Sequence, residues 1–320
     1  MSSLTINQLP RFGPDQCEVL NLDQARAMCR KLTTGHSENF SVLSMVVPPE
    51  LRNDFAALYA FCRWADDLGD EISDPQMSLE LLDWWRRELN LCIEGQPRHP
   101  VFVALRSTIE KHELPIEPFD DLIKAFEQDQ HVTRYDTWTQ LIEYCHLSAD
   151  PVGRLVLMIC GEPRTDKLFA MSDATCTALQ LTNHWQDVSR DIKDRDRIYI
   201  PRDLIGIDDF DERLKRTNAL GHAPDQMFYG MSRDVIKQCV KRTWDLYEQG
   251  APLLDEVKPT TKPILWLFAA GGQHVLHQIE MWNFETILHR PKLSLPSRLG
   301  LVLKARFMAR RAGPKGNDAS

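Results

Sequence analysis

Two pairs of aspartates constrain this chain more than any other feature of its sequence. Asp66 and Asp70 are four residues apart, and Asp187 and Asp191 repeat that spacing much later in the chain. Each pair lies in a stretch whose other residues have the apolar spacing of a buried helix. On a helix, residues at i and i+4 project from one face with Cβ atoms roughly 5–6 Å apart. Two carboxylates held this close repel each other unless a cation lies between them.

The remaining sequence predicts an all-α fold. Apolar residues recur at three- and four-residue spacing over long segments, strand-like alternation is scarce, and the chain has only 15 glycines among 320 residues. With 43% hydrophobic residues it can bury a large core, which excludes disorder. We expect helices near 21–33, 50–71, 77–94, 99–112, 116–130, 137–160, 165–192, 224–249, 261–288 and 296–309.

We predict one folded domain with flexible ends. Residues 1–20 contain Pro10 and Pro14 and are expected to form a loose arm, and the polar residues 310–320 a mobile tail. No repeat or linker divides residues 21–309. The two aspartate pairs make chemical sense only together, so we expect them to meet in the core of a helical bundle, where facing helices supply ligands.

Charge and cysteine content narrow the possible partners and compartment. The net charge of −8 argues against a nucleic-acid partner. Eight cysteines without a CxxC pair indicate reduced core thiols in a cytoplasmic protein. No apolar run approaches the roughly 18 residues of a membrane span. Peripheral contact with the inner membrane stays open: we favour a solvated helix end for the basic run 304–311, and contact with anionic lipid is the alternative.

Polar side chains extend both aspartate pairs into longer stripes. Tyr59 and Arg63 share a helical face with the first pair, and Gln180 and Asn183 share one with the second. Each stripe spans roughly 16 Å at about 1.5 Å per residue. Because the neighbouring residues are apolar, we expect each stripe to line a cavity rather than to face bulk solvent.

Three interpretations of the aspartates compete at this point. Solvated surface charge fits one isolated pair but not two matching pairs with further polar residues on the same stripe. A di-iron bundle requires Glu-x-x-His on two helices, and only Glu143 to His146 fits. Mg²⁺ prefers oxygen ligands and commonly bridges to phosphates. We therefore predict Mg²⁺ as cofactor, and diphosphate as the group that the metal would hold.

The same residues carry a resemblance to the squalene/phytoene synthase family, over roughly residues 30–305. The first aspartate motif of that family is preceded by a tyrosine and an arginine, as in this chain. The second signature runs from glutamine through asparagine to two aspartates, and then to arginine-x-aromatic-x-proline. Here it is supplied by Gln180, Asn183, Asp187, Asp191, Arg197, Tyr199 and Pro201.

The resemblance implies a fold, a substrate and residue roles. The fold would be an isoprenoid-synthase-type helical bundle with a central cavity, and the substrate a prenyl diphosphate. Asp66, Asp70, Asp187 and Asp191 would be catalytic metal ligands, with Arg63 as a further catalytic residue. The substrate-binding residues would be Tyr59, Gln180, Asn183, His36, Phe40 and Arg197. His36 fits a helix cap equally well.

Two departures from the family pattern indicate a branch. Asn39 replaces the second serine of the family's His-Ser-x-Ser-Phe segment, and Pro151 stands in the middle signature, where it should break the helix. Both variants resemble the bacterial hydroxysqualene synthase branch. That branch acts in making squalene for hopanoids, ionises presqualene diphosphate and quenches the cation with water. Other enzymes of squalene synthesis would then be partners.

Other functions stay open on the sequence. The enzyme could instead join two farnesyl or geranylgeranyl diphosphates head to head, in which case it would consume farnesyl diphosphate alone. A non-catalytic helical scaffold, like a mitochondrial complex I assembly factor of the same descent, would tend to lose the aspartates that this chain keeps. A generic isoprenoid-binding protein would release no diphosphate when metal is added.

Overall fold

The computed structural model describes residues 5–35 and 46–312, and within these ranges the protein is built of helices with no β-strand. This confirms the predicted all-α fold. The α-helices are α1 Leu9–Phe12, α2 Leu22–Gly35, α3 Arg52–Asp70, α4 Pro75–Ile93, α5 Pro100–His112, α6 Glu117–Gln128, α7 Trp138–Ser148, α8 Asp150–Ile159, α9 Asp166–Gln186, α10 Val188–Arg195, α11 Phe210–Leu220, α12 Gln226–Gly250, α13 Leu253–Glu256, α14 Lys262–Met281 and α15 Leu295–Ala312. Short 3₁₀ turns lie at Ile6–Gln8, Pro49–Leu51 and Arg202–Leu204.

Side-chain caps set several of the helix starts. Asp74 accepts a hydrogen bond from the Gln76 amide at the start of α4. Thr137 and Gln140 form a reciprocal capping box at the start of α7, and Thr165 accepts from the Leu168 amide at the start of α9. Such caps satisfy backbone N–H groups that have no partner within the helix. Residues in the local sequence therefore determine where these helices begin.

Two long helices organise the domain. Helix α3 packs against α2, α4, α5, α6 and α8, and α9 packs against α7, α8, α12 and α14. Helix α8 contacts both α3 and α9 and so joins the two groups. Each aspartate pair is thus attached to the central helix of its own group, which places rigid packing directly behind each pair.

The two groups have separate apolar clusters. Around α3, Trp64 stacks on Trp85 with ring centroids 5.4 Å apart, and the rings of both enclose the fully buried His99. Around α9, Trp185 is fully buried and its indole N–H donates to the hydroxyl of Thr243 at 2.8 Å. The large rings supply much of the buried apolar area that stabilises the fold.

Four helix predictions need correction. The segment 137–160 is two helices that meet at Ala149, as Pro151 predicted, but the segment 165–192 also divides, at Asp187, where no breaker was recognised. Residues 210–220 form α11, which the sequence did not predict, because only Phe210, Leu214 and Thr217 of it are buried. Helix α14 ends at Met281, with Trp282 as its C-cap residue, and does not continue to residue 288.

The flexible arm stays a prediction for residues 5–20, where half of the residues are exposed and a few contact the domain. Phe12 is buried in the apolar cluster of α3, and the buried hydroxyl of Thr5 donates to the carboxylate of Asp67. The flexible tail stays a prediction beyond Ala312, because α15 continues to that residue.

None of the helices within the described ranges is both long enough and apolar enough to cross a membrane.

Candidate active site

The first aspartate pair lies on the last two turns of α3 and is braced from within that helix. One Nη of Arg63 lies 3.0 Å from Asp66, and the other contacts Asp67. Asp67 is only 1% exposed and also accepts the Thr5 hydrogen bond. Asp67 therefore supports the site from behind by holding the Arg63 guanidinium against Asp66.

The second pair lies across a helix break. Asp187 follows the last residue of α9 with φ −101° and ψ 10°, and Asp191 belongs to the first turn of α10. The Asp191 amide donates to the Asp187 carbonyl at 2.8 Å, so Asp187 accepts a hydrogen bond in the first turn of α10. The two aspartates keep the spacing of the motif but not one straight helix.

Arginines that follow the second pair reach across to the first. Arg195 lies 3.0 Å from Asp70 and 3.5 Å from Asp191, so one guanidinium contacts both motifs. Arg197 contacts the other oxygen of Asp70 at 2.8 Å. Although the two aspartate motifs are separated by more than a third of the chain, the fold brings them face to face.

A buried polar network holds Arg197 from the other side. Asp129 lies 3.6 Å from Arg197 and accepts hydrogen bonds from the hydroxyls of Tyr144, at 2.8 Å, and Tyr199, at 3.3 Å. Burial raises the pKa of Asp129 to about 7, and the Arg197 charge opposes that rise. The His184 ring stacks on Tyr199 with centroids 3.7 Å apart, which fixes the tyrosine in place.

Asp187 is held by arginines outside both stripes. Arg290, in the segment after α14, donates through Nε and through Nη2, the latter at 3.0 Å. Arg190 lies 3.4 Å from the same carboxylate. The contact between Arg290 and Asp187 spans 103 residues of sequence and connects the segment after α14 to the end of α9.

The carboxylates of the two motifs repel one another. Desolvation and then the charge of Asp70 raise the pKa of Asp66 to about 7, although the Asp66 side chain is 39% exposed and solvent screens part of this repulsion. Burial and then the charge of Asp187 likewise raise the pKa of Asp191 to about 7. A bound cation would relieve this repulsion.

A cavity of about 940 Å³ opens beside the second motif. Its polar side is formed by Gln180, Asn183, Arg290 and Lys292, and its apolar side includes Leu179, Leu267, Phe268 and Val275. A smaller, mostly apolar cavity of about 330 Å³ adjoins it, and both are lined by Val152, Cys176, Leu179 and Phe268. The larger cavity therefore combines a polar, basic side with an apolar side.

Most predicted site residues lie together, and two cannot be placed. Gln180 and Asn183 line the larger cavity, and the Tyr59 phenol lies near enough to Arg63 to interact electrostatically with its guanidinium. Arg197 contacts Asp70 rather than the cavity wall. His36 and Phe40 fall outside the described residues, as does Asn39.

Sequence reasoning missed Arg195, Arg290 and Asp129. Arg195 had a usable signal, since it follows Asp191 by four residues and so shares its helical face. Arg290 had none, because nothing in its local sequence predicts a contact with a residue so far away. Asp129 had no signal either, because its sequence position is that of an ordinary acidic residue at a helix end and its two tyrosine donors come from other segments.

The donor set fits a divalent metal ion only with rearrangement. Within 5–35 and 46–312, no three His, Cys, Asp or Glu side chains form a ready metal cluster. Guanidinium groups of Arg195 and Arg290 lie against the carboxylates instead. Four facing aspartates still form the type of oxygen ligand set that Mg²⁺ prefers. A metal ion that bound there would have to displace the arginines from the carboxylates.

Comparison with known proteins agrees with this geometry. The sequence model of the squalene/phytoene synthase family matches residues 33–297. The chain is 35% identical to the hydroxysqualene synthase of Rhodopseudomonas palustris over 230 residues, which cover 70% of this chain and 73% of that protein. It is 42% identical to the hydroxysqualene synthase of Zymomonas mobilis over 53% of this chain and 57% of that protein.

A solved structure shows the same relationship. The squalene synthase HpnC from Alicyclobacillus acidocaldarius superposes with a TM-score of 0.71 at 40% sequence identity, covering 82% of this chain and 95% of that one. With the two aspartate motifs face to face beside a cavity, the chain belongs to the squalene/phytoene synthase family, on the side of its bacterial hydroxysqualene branch.

Proposed function

We propose that the protein converts presqualene diphosphate to hydroxysqualene and diphosphate in a Mg²⁺-dependent reaction. The observation that carries the proposal is the pairing of two facing aspartate motifs with an apolar cavity whose polar side includes Gln180 and Asn183. Relatives named hydroxysqualene synthase support the choice of product.

The four aspartates would hold the metal. Asp66 and Asp70 face Asp187 and Asp191 across the Arg195 guanidinium, so oxygen donors are available from two sides. Bound there, Mg²⁺ would neutralise the charge of the departing diphosphate. This assignment explains why Asp66 and Asp191, whose pKa values are raised first by burial and then by a neighbouring carboxylate, are placed beside Asp70 and Asp187.

Arginines would supply the remaining positive charge. The Nε atoms of Arg63 and Arg195 are buried and lack a hydrogen-bond acceptor among the described residues. Arg290 reaches the polar side of the cavity as well as Asp187. Guanidinium groups bind phosphate oxygens in pairs and with directional preference. They would orient the diphosphate end of the substrate, and the amides of Gln180 and Asn183 would add further contacts.

The apolar interior would control the fate of the cation. Its walls exclude bulk water from a reactive intermediate and fold the prenyl chains. A single water molecule admitted from the polar side would end the reaction as an alcohol. Capture of a carbocation needs no strong general base, since the attacking water loses its proton readily after bonding.

A second candidate is the head-to-head condensation of two prenyl diphosphates. The observation that favours it is the pair of adjoining cavities, which suits two prenyl chains as well as one branched substrate. A non-catalytic scaffold or a passive isoprenoid binder gains no support from an intact set of four aspartates.

Product analysis distinguishes these functions. The purified protein is incubated with Mg²⁺ and either presqualene diphosphate or farnesyl diphosphate, in water labelled with ¹⁸O. We expect an alcohol from presqualene diphosphate whose hydroxyl carries the label, and no reaction in excess chelator. Consumption of farnesyl diphosphate to presqualene diphosphate or a hydrocarbon would replace this proposal with the condensing function.

A further inference from the structure

Helix α15 has an apolar stripe that faces away from the protein. Val302 and Ala305 are buried against the domain. On the neighbouring face of the helix, large apolar side chains recur every four residues with 74%, 59%, 57% and 55% of their surface exposed: Leu295, Leu299, Leu303 and Phe307. No described residue covers this stripe.

The same helix is strongly basic although the chain is acidic overall. It contains five cations and no acidic residue, whereas the whole chain has a net charge of −8. At 100° per residue, Arg306 and Arg310 fall within the sector of the apolar stripe. Lys304 lies beside it with its amine 4.7 Å from the Trp266 ring, and the Arg311 guanidinium lies 4.2 Å from the Phe307 ring.

We propose that α15 docks this protein on an anionic lipid surface. Leucine and phenylalanine side chains would enter the boundary between headgroups and acyl chains, while the long arginine and lysine side chains reach lipid phosphates. The attraction arises where positive residues are concentrated, so the acidic remainder of the protein would face away from the bilayer.

The charges in the stripe argue for lipid rather than for a second protein chain. Charged residues are depleted from the cores of protein–protein interfaces. Arg306 and Arg310 would lie in the middle of such an interface with no carboxylate from α15 to pair with, in this chain or in a second copy. At a lipid surface, the same positions place each guanidinium at the level of the phosphates.

Docking through α15 would bring the large cavity close to the bilayer. Arg298, Leu301 and Val302 of this helix line the cavity from its inner side. The helix is therefore a single wall between the lipid surface and the cavity. This inference concerns where the protein binds and does not depend on which prenyl reaction it catalyses.

Vesicle co-sedimentation tests the proposal directly. The full-length protein is mixed with vesicles of phosphatidylcholine alone or with about a quarter phosphatidylglycerol, at about 0.1 M and about 0.5 M NaCl. We expect binding to the anionic vesicles that weakens at high salt, because charges beyond a few ångströms are then screened. Binding to neutral vesicles should be at least tenfold weaker.

Matched variants separate the apolar and the charged contributions. Leu299→Ser with Leu303→Ser should abolish binding, while Leu220→Ser, which removes a leucine 48% exposed on α11, should leave it unchanged. Arg306→Glu with Arg310→Glu should weaken binding more than about twentyfold, at about fivefold for each cation lost near an anionic surface. Arg216→Glu with Lys241→Glu changes the net charge equally on other helices and should have little effect.

Three outcomes would overturn the inference. The first is absence of binding by the wild-type protein under either salt condition. The second is equal loss of binding in the α15 variants and in their matched controls. The third is a dimer in light scattering that the Leu299→Ser and Leu303→Ser changes dissociate, since the stripe would then be an interface between two copies of the chain. Circular dichroism melting curves confirm that each variant is folded.

Discussion

The two aspartate motifs have the same spacing and are supported in different ways. Asp66 and Asp70 lie on the unbroken helix α3, where Arg63 of the same helix pairs with the first of them. Asp187 lies at a break between two helices, and its main partner is Arg290 from a remote segment. A continuous helix can brace a carboxylate from within, but a carboxylate at a break depends on contacts made by the rest of the fold.

The largest effect is expected from removing one carboxylate of each motif. Asp66→Asn and Asp187→Asn should each lower the rate of diphosphate release about a thousandfold, because a metal ligand set supplies several kcal/mol of charge stabilisation and each 1.4 kcal/mol is tenfold in rate. Release is measured with the proposed substrate and Mg²⁺. Normal turnover in either variant would remove that motif from the catalytic site.

The stabilities of the same two variants should differ, because the Asp66 side chain is partly exposed and that of Asp187 is largely buried. Asp66→Asn should change the free energy of unfolding of the metal-free protein by no more than about 0.5 kcal/mol, as for a partly exposed side chain. Asp187→Asn leaves the Arg290 guanidinium without its partner and should cost about 1–3 kcal/mol. Equal costs in urea unfolding would show that the two motifs are supported alike.

Arginine-to-lysine changes test the partners of the two motifs. Arg63→Lys and Arg290→Lys keep the positive charge and lose the planar donor pair. Each should lower kcat/KM about ten- to a hundredfold, the equivalent of one charge-assisted hydrogen bond of about 1.5–3 kcal/mol. Arg87→Lys, at an exposed residue of α4, serves as the control. An Arg63→Lys variant with wild-type kcat and KM would make that arginine only a counter-ion.

Two buried histidines, one in each half of the domain, should make the protein acid-sensitive. Burial lowers the pKa of His99 and of His184 to about 3, so both are neutral in the folded state at pH 5. In the unfolded chain they bind a proton below about pH 6.5. Protonation therefore favours unfolding, and the free energy of unfolding should fall as pH drops from about 6.5 toward 3.

Single variants isolate each contribution to this pH dependence. His99→Asn and His184→Asn should each flatten the dependence between pH 6 and pH 4 by about 1.4 kcal/mol per pH unit, whatever they cost at neutral pH. Urea unfolding at several pH values gives the slopes. An unchanged slope in the His184→Asn variant would show that this histidine is already protonated when folded.

The last prediction concerns the support behind the first motif. Thr5→Val removes the hydroxyl that donates to Asp67 and should cost about 1–3 kcal/mol, because a buried carboxylate loses a donor. Thr5→Ser keeps that hydroxyl and is the matched control. If the two variants unfold at the same urea concentration, the hydrogen bond adds nothing to the bracing of α3.

Sequence reasoning was most successful where the determinants are local. Apolar periodicity predicted α3 and the length of α12, and Pro151 predicted the division between α7 and α8. The break at Asp187 went unnoticed because no proline or glycine marks it. There, the backbone is fixed by tertiary contacts, such as the Ser189 amide that donates to the carbonyl of Thr286.

The candidate site also contains residues that local sequence predicts and residues that only tertiary contacts bring in. The paired aspartates and Arg63 follow from helical spacing within one segment, which a reader can count. Arg290 and Asp129 enter the site only through folding, since each contacts partners far away in sequence. Residues that support a site from distant segments leave no periodic signal in a single sequence.

The guanidinium of Arg195 has a consequence for the order in which ligands bind. It already neutralises Asp70 and Asp191, so a metal ion that arrives alone must compete with it for these carboxylates. A diphosphate that arrives alone must compete with the same carboxylates for the guanidinium. If the proposed metal site is correct, each ligand would bind more tightly once the other is present, and by the same factor in both directions. The metal ion and the diphosphate would then bind cooperatively, and either one alone would bind weakly.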